Sequence, residues 1–275
     1  MKPARLISAA FLLVLPIAAG PISFSTGNPD GLIATASRPG SAGGIEIESA
    51  DDFLLTTEAL LNSATFTGLI PDGATVTQVR VEIYRVFPKD STSPPSGNVP
   101  TRNNSPSDVE FDDRDTDSGN LTFTTSVLSG SFTANNSVLN GIHPSPNQHT
   151  GGEGPVTGQE VQFNVTFTTP FHLPPDHYFF IPQVLLDNGN FFWLSAPKPI
   201  VAPGTLFLPD LQSWIRNEDL APDWLRIGSD IVGTSATGPT FNATFSLTGE
   251  EVPEPATLGL VCAGLFALAL KRAIR

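Results

Sequence analysis

Three aspartates at alternate positions, Asp113, Asp115 and Asp117, follow Asp112 and precede Gly119-Asn120. Carboxylates at that spacing in a turning loop can converge on Ca²⁺, a hard cation that takes about six to eight oxygen ligands. The run is not an EF-hand loop: Ser118 holds the position reserved for Gly, and Thr124 that of the bidentate Glu. Calcium is therefore a candidate cofactor of a simpler loop, against a solvated acidic segment that only keeps the chain soluble. Asp51-Asp52, just before Phe53, form a second carboxylate pair that caps a strand or joins another ion site. Trp214 and Trp224 flank the segment 217–223. Exposed indoles stack on sugar rings, which makes both candidate glycan contacts; buried ones would pin that segment to the fold. His143 and His149 share a loop with Glu153, but no regular element presets them for zinc. A single Cys excludes a disulfide framework and any Cys-based zinc site. No Gly-x-Ser-x-Gly elbow occurs. Nucleophilic catalysis has no support, and a non-enzymatic protein is expected; a carbohydrate-binding module is the alternative, with a secreted hydrolase using paired carboxylates behind it.

The elements that must position these residues read as strands. Val161, Phe163, Val165 and Phe167 alternate with polar residues, as do Val79, Val81 and Ile83, and Phe241, Ala243, Phe245 and Leu247. Period two with one apolar face is the pattern of a half-buried antiparallel strand, and that face needs a second sheet to cover it. Further strands are predicted at Ile45–Glu48, Phe53–Leu55, Ala64–Leu69, Leu121–Thr125, Gly130–Thr133, Tyr178–Leu185 and Phe191–Leu194. Asp187-Asn188-Gly189 reads as the turn of a hairpin. One short helix is predicted near Leu208–Asn217, opened by Pro209. The fold class is all-β: an antiparallel β-sandwich, jelly-roll-like or immunoglobulin-like, over 20–250. Long loops at 89–120 and 134–158 are rich in Ser, Pro, Gly, Asn and Asp, a composition that favours partial disorder.

Charge narrows the partners. Fourteen Lys and Arg against 27 Asp and Glu leave −13, and no basic stripe could displace counterions from a phosphate backbone, so no nucleic acid is expected. With 40% apolar residues and 19 Phe, the chain has material for a core.

The ends carry membrane signals. Lys2 and Arg5 precede an uncharged apolar run from Leu6 to Ala19, the arrangement of a secretory signal peptide over 1–19. At the other end Val252-Pro253-Glu254-Pro255 is followed by an uncharged stretch, Ala256–Leu270, and then Lys271, Arg272 and Arg275. A helix of that length spans about 22 Å, short of a hydrocarbon core of about 30 Å. Snorkelling cations and local thinning absorb the difference. The basic end places the tail in the cytoplasm and the acidic domain outside. The expected anchor thus contains Ala256, Leu260, Leu265 and Leu270 and is held by Lys271 and Arg272. Because no linker separates the last strand from Val252, the domain is expected close to the inner membrane until it is cut.

The segment VPEPATLGLVCAGLFALALKRAIR resembles the PEP-CTERM sorting signal of Gram-negative bacteria: a Pro-Glu-Pro motif, a transmembrane helix and a basic end, in that order at the terminus. The resemblance covers only 251–275. It implies Sec export, transient anchoring, and recognition by an exosortase that processes the chain at or near Val252, Pro253, Glu254 and Pro255. It also implies a cell-surface or extracellular destination among exopolysaccharide and biofilm. Asp51-Asp52 with Phe53 is similar to the Ala-Asp-Asp-Phe openings of other exported bacterial sandwich domains.

Overall fold

The alternating run at Val161 lies inside an 18-residue strand that buries Val161, Phe163, Val165 and Phe167 on one face. The computed structural model describes residues 19–41, 44–142, 149–233, 238–253 and 264. In chain order its strands are β1 (Pro21–Ser25), β2 (Ile33–Ala36), β3 (Ile47–Leu55), β4 (Ala59–Ile70), β5 (Val76–Arg85), β6 (Asp112–Asp115), β7 (Leu121–Ala134), β8 (Asn136–Val138), β9 (Val156–Leu173), β10 (Asp176–Leu186), β11 (Phe192–Ala196), β12 (Trp214–Asn217), β13 (Leu225–Arg226), β14 (Asn242–Ala243) and β15 (Phe245–Glu251). The signal peptide and the membrane anchor expected from the ends lie outside the described residues, apart from Ala19 and Gly264. No helix among the described residues is long and apolar enough to cross a membrane.

Two sheets form the sandwich. One runs β1-β15-β4-β11-β2-β8, with β14 on β11, β9 on β4 and β7 outside β9; the other runs β13-β12-β3-β10-β5-β6. Every pairing is antiparallel except β2 with β8. The all-β antiparallel sandwich expected from alternation is therefore present. Aromatic rings join its layers, Phe245 of the first sheet stacking on Phe180 of the second at 4.9 Å; within the first sheet Phe66 stacks on its cross-strand partner Phe163 at 4.8 Å. Each such ring taken from water contributes about 1.5–3 kcal/mol. Gly68 on β4 admits the ring of Phe191, which would stand 2.2 Å from a Cβ there.

Three expectations need correction. The helix near Leu208–Asn217 is not formed. Trp214–Asn217 pairs instead with β3, from Trp214↔Ala50 to Asn217↔Ile47, so sheet pairing overrides a short helical pattern. The Asp187-Asn188-Gly189 turn is not a hairpin, because β10 and β11 belong to different sheets. Its turn chemistry holds, with Gly189 at φ 77° and the Asp187 carboxylate accepting from Thr75 N–H at 2.7 Å, but the chain crosses the sandwich there. The loop 89–120 is built into the fold. Arg102, 2% exposed, bridges Asp108 at 3.0 Å and Asp223 at 2.9 Å and lies over the Phe87 ring. Of the other long loop, 143–148 lies outside the described residues.

Candidate functional site

Asp113 and Asp115 sit on β6, the edge of the six-stranded sheet, paired with β5. Their carboxylates already face protein partners. Asp113 lies 3.5 Å from Arg80, which also meets Glu82 and Glu110 at 2.9 and 3.0 Å. Asp115 accepts from the Gln78 side chain and from Asp117 N–H, each at 2.7 Å. Arg114 turns the other way, pairing with Asp112 and lying 4.2 Å over Phe171. Among the described residues no group of three or more His, Cys, Asp or Glu is placed to hold a metal ion. The structure does not gather Asp113, Asp115 and Asp117 into a calcium site: a strand holds the first two in a hydrogen-bonded ladder, and a turn uses the third. His143 lies outside the described residues, and Glu153 is taken up by the N–H groups of Leu139 and Asn140.

Neither tryptophan offers a face to a sugar. Trp214 is 1% exposed and Trp224 is fully buried. Trp224 packs on the Arg216 guanidinium at 4.3 Å, meets the Tyr84 ring edge-on, and donates its indole N–H to Ser107 O at 3.1 Å. Arg216 in turn grips both oxygens of buried Glu48 and reaches the Tyr84 hydroxyl at 2.8 Å. This stack ties β3, β5, β12 and the segment before β13 together. Sequence reading missed Arg216 and Arg102, because nothing local marks a surface-type residue as buried.

Asp51 and Asp52 are both buried in mid-strand on β3. Asp51 accepts from Ala243 N–H at 2.8 Å and lies 3.0 Å from Ser213 Oγ. Ser213 Oγ is also 2.9 Å from Phe241 O, and one hydroxyl hydrogen cannot serve both acceptors. A proton on Asp51 would satisfy both contacts: its O–H would donate to Ser213 Oγ, which would donate to Phe241 O. Burial first, and then the neighbouring Asp52, raise the Asp51 pKa well above the ordinary carboxylate value, as that arrangement requires. Burial likewise raises Asp52 and lowers His177, whose Nε2 stands 2.6 Å from Asp52, so both partners are biased toward their neutral forms. Lys198 closes the cluster, its ammonium held by Asp210, Leu211 O and Asn242. The pair thus fastens β3 to the 210–213 segment, β10 and β14. It neither caps the strand, since both residues lie inside β3, nor gathers an ion site among the described residues: it fastens the strand to its neighbours.

This has a pH consequence. With the folded-state pKa of Asp51 above its unfolded value, the group's contribution is full below about pH 4, where both states are protonated. It is lost as pH climbs from there through the raised folded-state value. Asp51→Asn copies the protonated carboxyl, its amide donating to Ser213 and its oxygen accepting from Ala243. Melting curves from about pH 4 to about pH 8 should therefore fall less steeply for the variant than for the parent chain. Parallel pH profiles would contradict a protonated Asp51.

Beside this cluster a cleft of about 610 Å³ is lined by Pro100, Thr101, Asn103, Asn104, Lys198, Asp210, Leu211, Gln212, Trp214, Arg226 and Thr240. Its two cations are already matched, Lys198 by Asp210 at 2.6 Å and Arg226 by Asp230 at 2.6 Å. What remains are uncharged hydrogen-bonding groups: Thr101, Asn103, Asn104, Gln212 and Thr240.

The ends of the sandwich meet on one strand pair. β1 pairs with β15 from Pro21↔Glu250 to Ser25↔Ser246, and β15 pairs on its other side with β4 as far as Glu251↔Ala59. The last strand is therefore hydrogen-bonded up to the residue before Val252. Val252 is half-buried and Pro253 is exposed. Residues 251–273 match the family model of the PEP-CTERM protein-sorting motif. The chain carries a PEP-CTERM sorting signal. This PEP-CTERM chain is an exosortase-targeted, exported protein, and the signal directs its processing at the membrane. Of the motif residues, Glu254 and Pro255 lie outside the described residues, as do Ala256, Leu260, Leu265, Leu270, Lys271 and Arg272 of the expected anchor. The match covers only the C-terminal end and does not describe the sandwich. No curated protein and no solved structure matches the chain.

Proposed function

We propose that the sandwich is a non-catalytic protein of the cell surface or extracellular matrix, held among exopolysaccharide. The chain divides into a signal peptide (1–19), the exported domain (20–250) and the sorting segment (251–275). A Sec-type pathway exports it, the inner membrane holds it through Ala256–Leu270, and exosortase cuts it at or near Val252–Pro255. The observation that carries this reading is the sorting motif beginning where β15 ends. Its two prolines deny that segment helical and ladder hydrogen bonds, leaving an extended substrate. The test is co-sedimentation of the purified protein with polysaccharide extracted from its own host. Retention in the polysaccharide pellet is expected, and a protein that stays wholly in the supernatant contradicts the matrix role.

A second reading, carbohydrate binding by the domain itself, is favoured by the cleft. Its volume falls within the range of about 300–1,000 Å³ for small-molecule sites, and its uncharged polar lining suits a neutral polyhydroxylated ligand. On that reading Asn103→Ala with Gln212→Ala weakens polysaccharide binding at unchanged melting temperature. Equal binding by the variant would remove the cleft from consideration.

A further inference from the structure

Among the described residues, the edge strands of the sandwich are guarded, with one exception. β13 has two residues, β8 three, and β1 five starting at a proline. β6 is Asp-Asp-Arg-Asp, charged at every position. Short, charged or proline-bearing edges resist pairing with another chain. β7 has 14 residues, pairs only with β9, and contains no charge and no proline. Its ladder with β9 is unbroken from Leu121↔Phe167 to Val127↔Val161; the irregularities fall only after Val127. The straight part, Leu-Thr-Phe-Thr-Thr-Ser-Val, joins high β-propensity to zero charge in a chain of net charge −13.

The open edge also presents the hydrogen bonds a new strand needs. Asn120 O accepts from Thr168 N–H at 3.0 Å. By strand alternation Thr122, Thr124 and Ser126 then turn their backbone groups toward β9. Leu121, Phe123, Thr125 and Val127 turn theirs outward. The same four lie on the face toward the sandwich interior, where Leu121 is buried and Phe123 packs against the core. Toward Val127 that face is uncovered. Val127 is 56% exposed and shares an open groove of about 340 Å³ with Ile70, Ala74, Val76 and Val161.

We propose that β7 is a self-association edge, and that its occupant is β7 of a second copy of this chain, paired antiparallel about Thr124. A two-fold axis there sets Thr124 against Thr124, Thr122 against Ser126, Phe123 against Thr125 and Leu121 against Val127. Each is a favourable cross-strand pair, hydroxyl with hydroxyl or apolar with β-branched. Leu121 and Val127 of the two copies close the uncovered end of the inner face. Elsewhere two chains of −13 repel; along this neutral strand they do not. The joined sheet is continuous across the dimer, an isologous arrangement. This proposal does not depend on the polysaccharide reading.

Disulfide trapping of the full-length chain in detergent, with Cys262→Ala, tests it. Directly opposed residues at a non-hydrogen-bonded position stand about 4.5 Å apart at Cα, within disulfide reach. Thr124→Cys should give a disulfide-linked dimer on mild oxidation. Ser126→Cys alone should not, but should cross-link once Thr122→Cys is added. In sedimentation, the parent chain should dimerise with concentration, and Thr124→Lys should abolish the dimer by setting two ammoniums face to face. A chain monomeric at every concentration, or equal cross-linking by Thr124→Cys and Ser126→Cys, overturns the proposal. The cross-linking register separates strand pairing from association through any other part of the chain, and it stands even if Thr124→Lys fails to fold.

Discussion

Arg216→Ala is expected to cost about 3–5 kcal/mol, a large share of the roughly 5–15 kcal/mol that holds a domain folded. The guanidinium is nearly fully buried, grips both carboxylate oxygens of Glu48, and lies against the rings of both Tyr84 and Trp224. Removing it leaves Glu48, 4% exposed, as a charge without its counter-ion. Glu82 stands close by, its pKa raised by burial first and then by Glu48, so the neighbourhood cannot absorb another unpaired anion. The loss is expected as a large drop in the urea midpoint with unchanged slope. Replacing both partners, Glu48→Gln with Arg216→Met, should recover much of it, because neither charge is then stranded. A loss below about 1 kcal/mol for Arg216→Ala would place the pair in the exposed class and contradict its burial.

The second large effect concerns delivery. Replacing Pro253, Glu254 and Pro255 together with alanine is expected to abolish processing. Three alanines favour helix, so the segment would continue the anchor instead of presenting an extended chain with one carboxylate. The variant should accumulate in the inner-membrane fraction at unprocessed size, with no mature form in the medium or on the surface. Normal release of the alanine variant would show that the enzyme reads something other than this motif. The sandwich should be unaffected, since β15 completes its pairing at Glu251↔Ala59.

How much of this was legible in the sequence depended on whether the signal was local. Alternation at Val79, Val161 and Phe245 names strands directly, because side-chain period and backbone geometry are the same fact. The sorting motif is legible for the same reason: it is linear, terminal and read as a string. Burial of charge was not. Arg102 and Arg216 look like surface residues until Asp223 and Glu48, far away in sequence, close on them, with Asp108 added from Arg102's own loop. Trp214 and Trp224 suggested either a glycan platform or an internal pin, and the burial of both rings, with Trp224 stacked on Arg216, decides for the pin. The loop 89–120 has a composition that suggests disorder, yet one internal cation organises it. Asp113, Asp115 and Asp117 carry the spacing of a cation loop. Pairing of β6 with β5, set by residues some thirty positions earlier, turns Asp113 to Arg80 and Asp115 to Gln78, while Asp117 falls beyond the strand. Asp187-Asn188-Gly189 gave the correct turn and the wrong connection, because turn chemistry fixes local backbone and not which sheet receives the next strand.

The most direct test of the account is the intact mass of the protein recovered from the surface or medium of its own host. The account predicts one chain that begins at the end of the 1–19 signal, contains all of β1–β15, and stops at or near Val252–Pro255. A mature protein that still carries Ala256–Arg275 in cells with an active exosortase would contradict it.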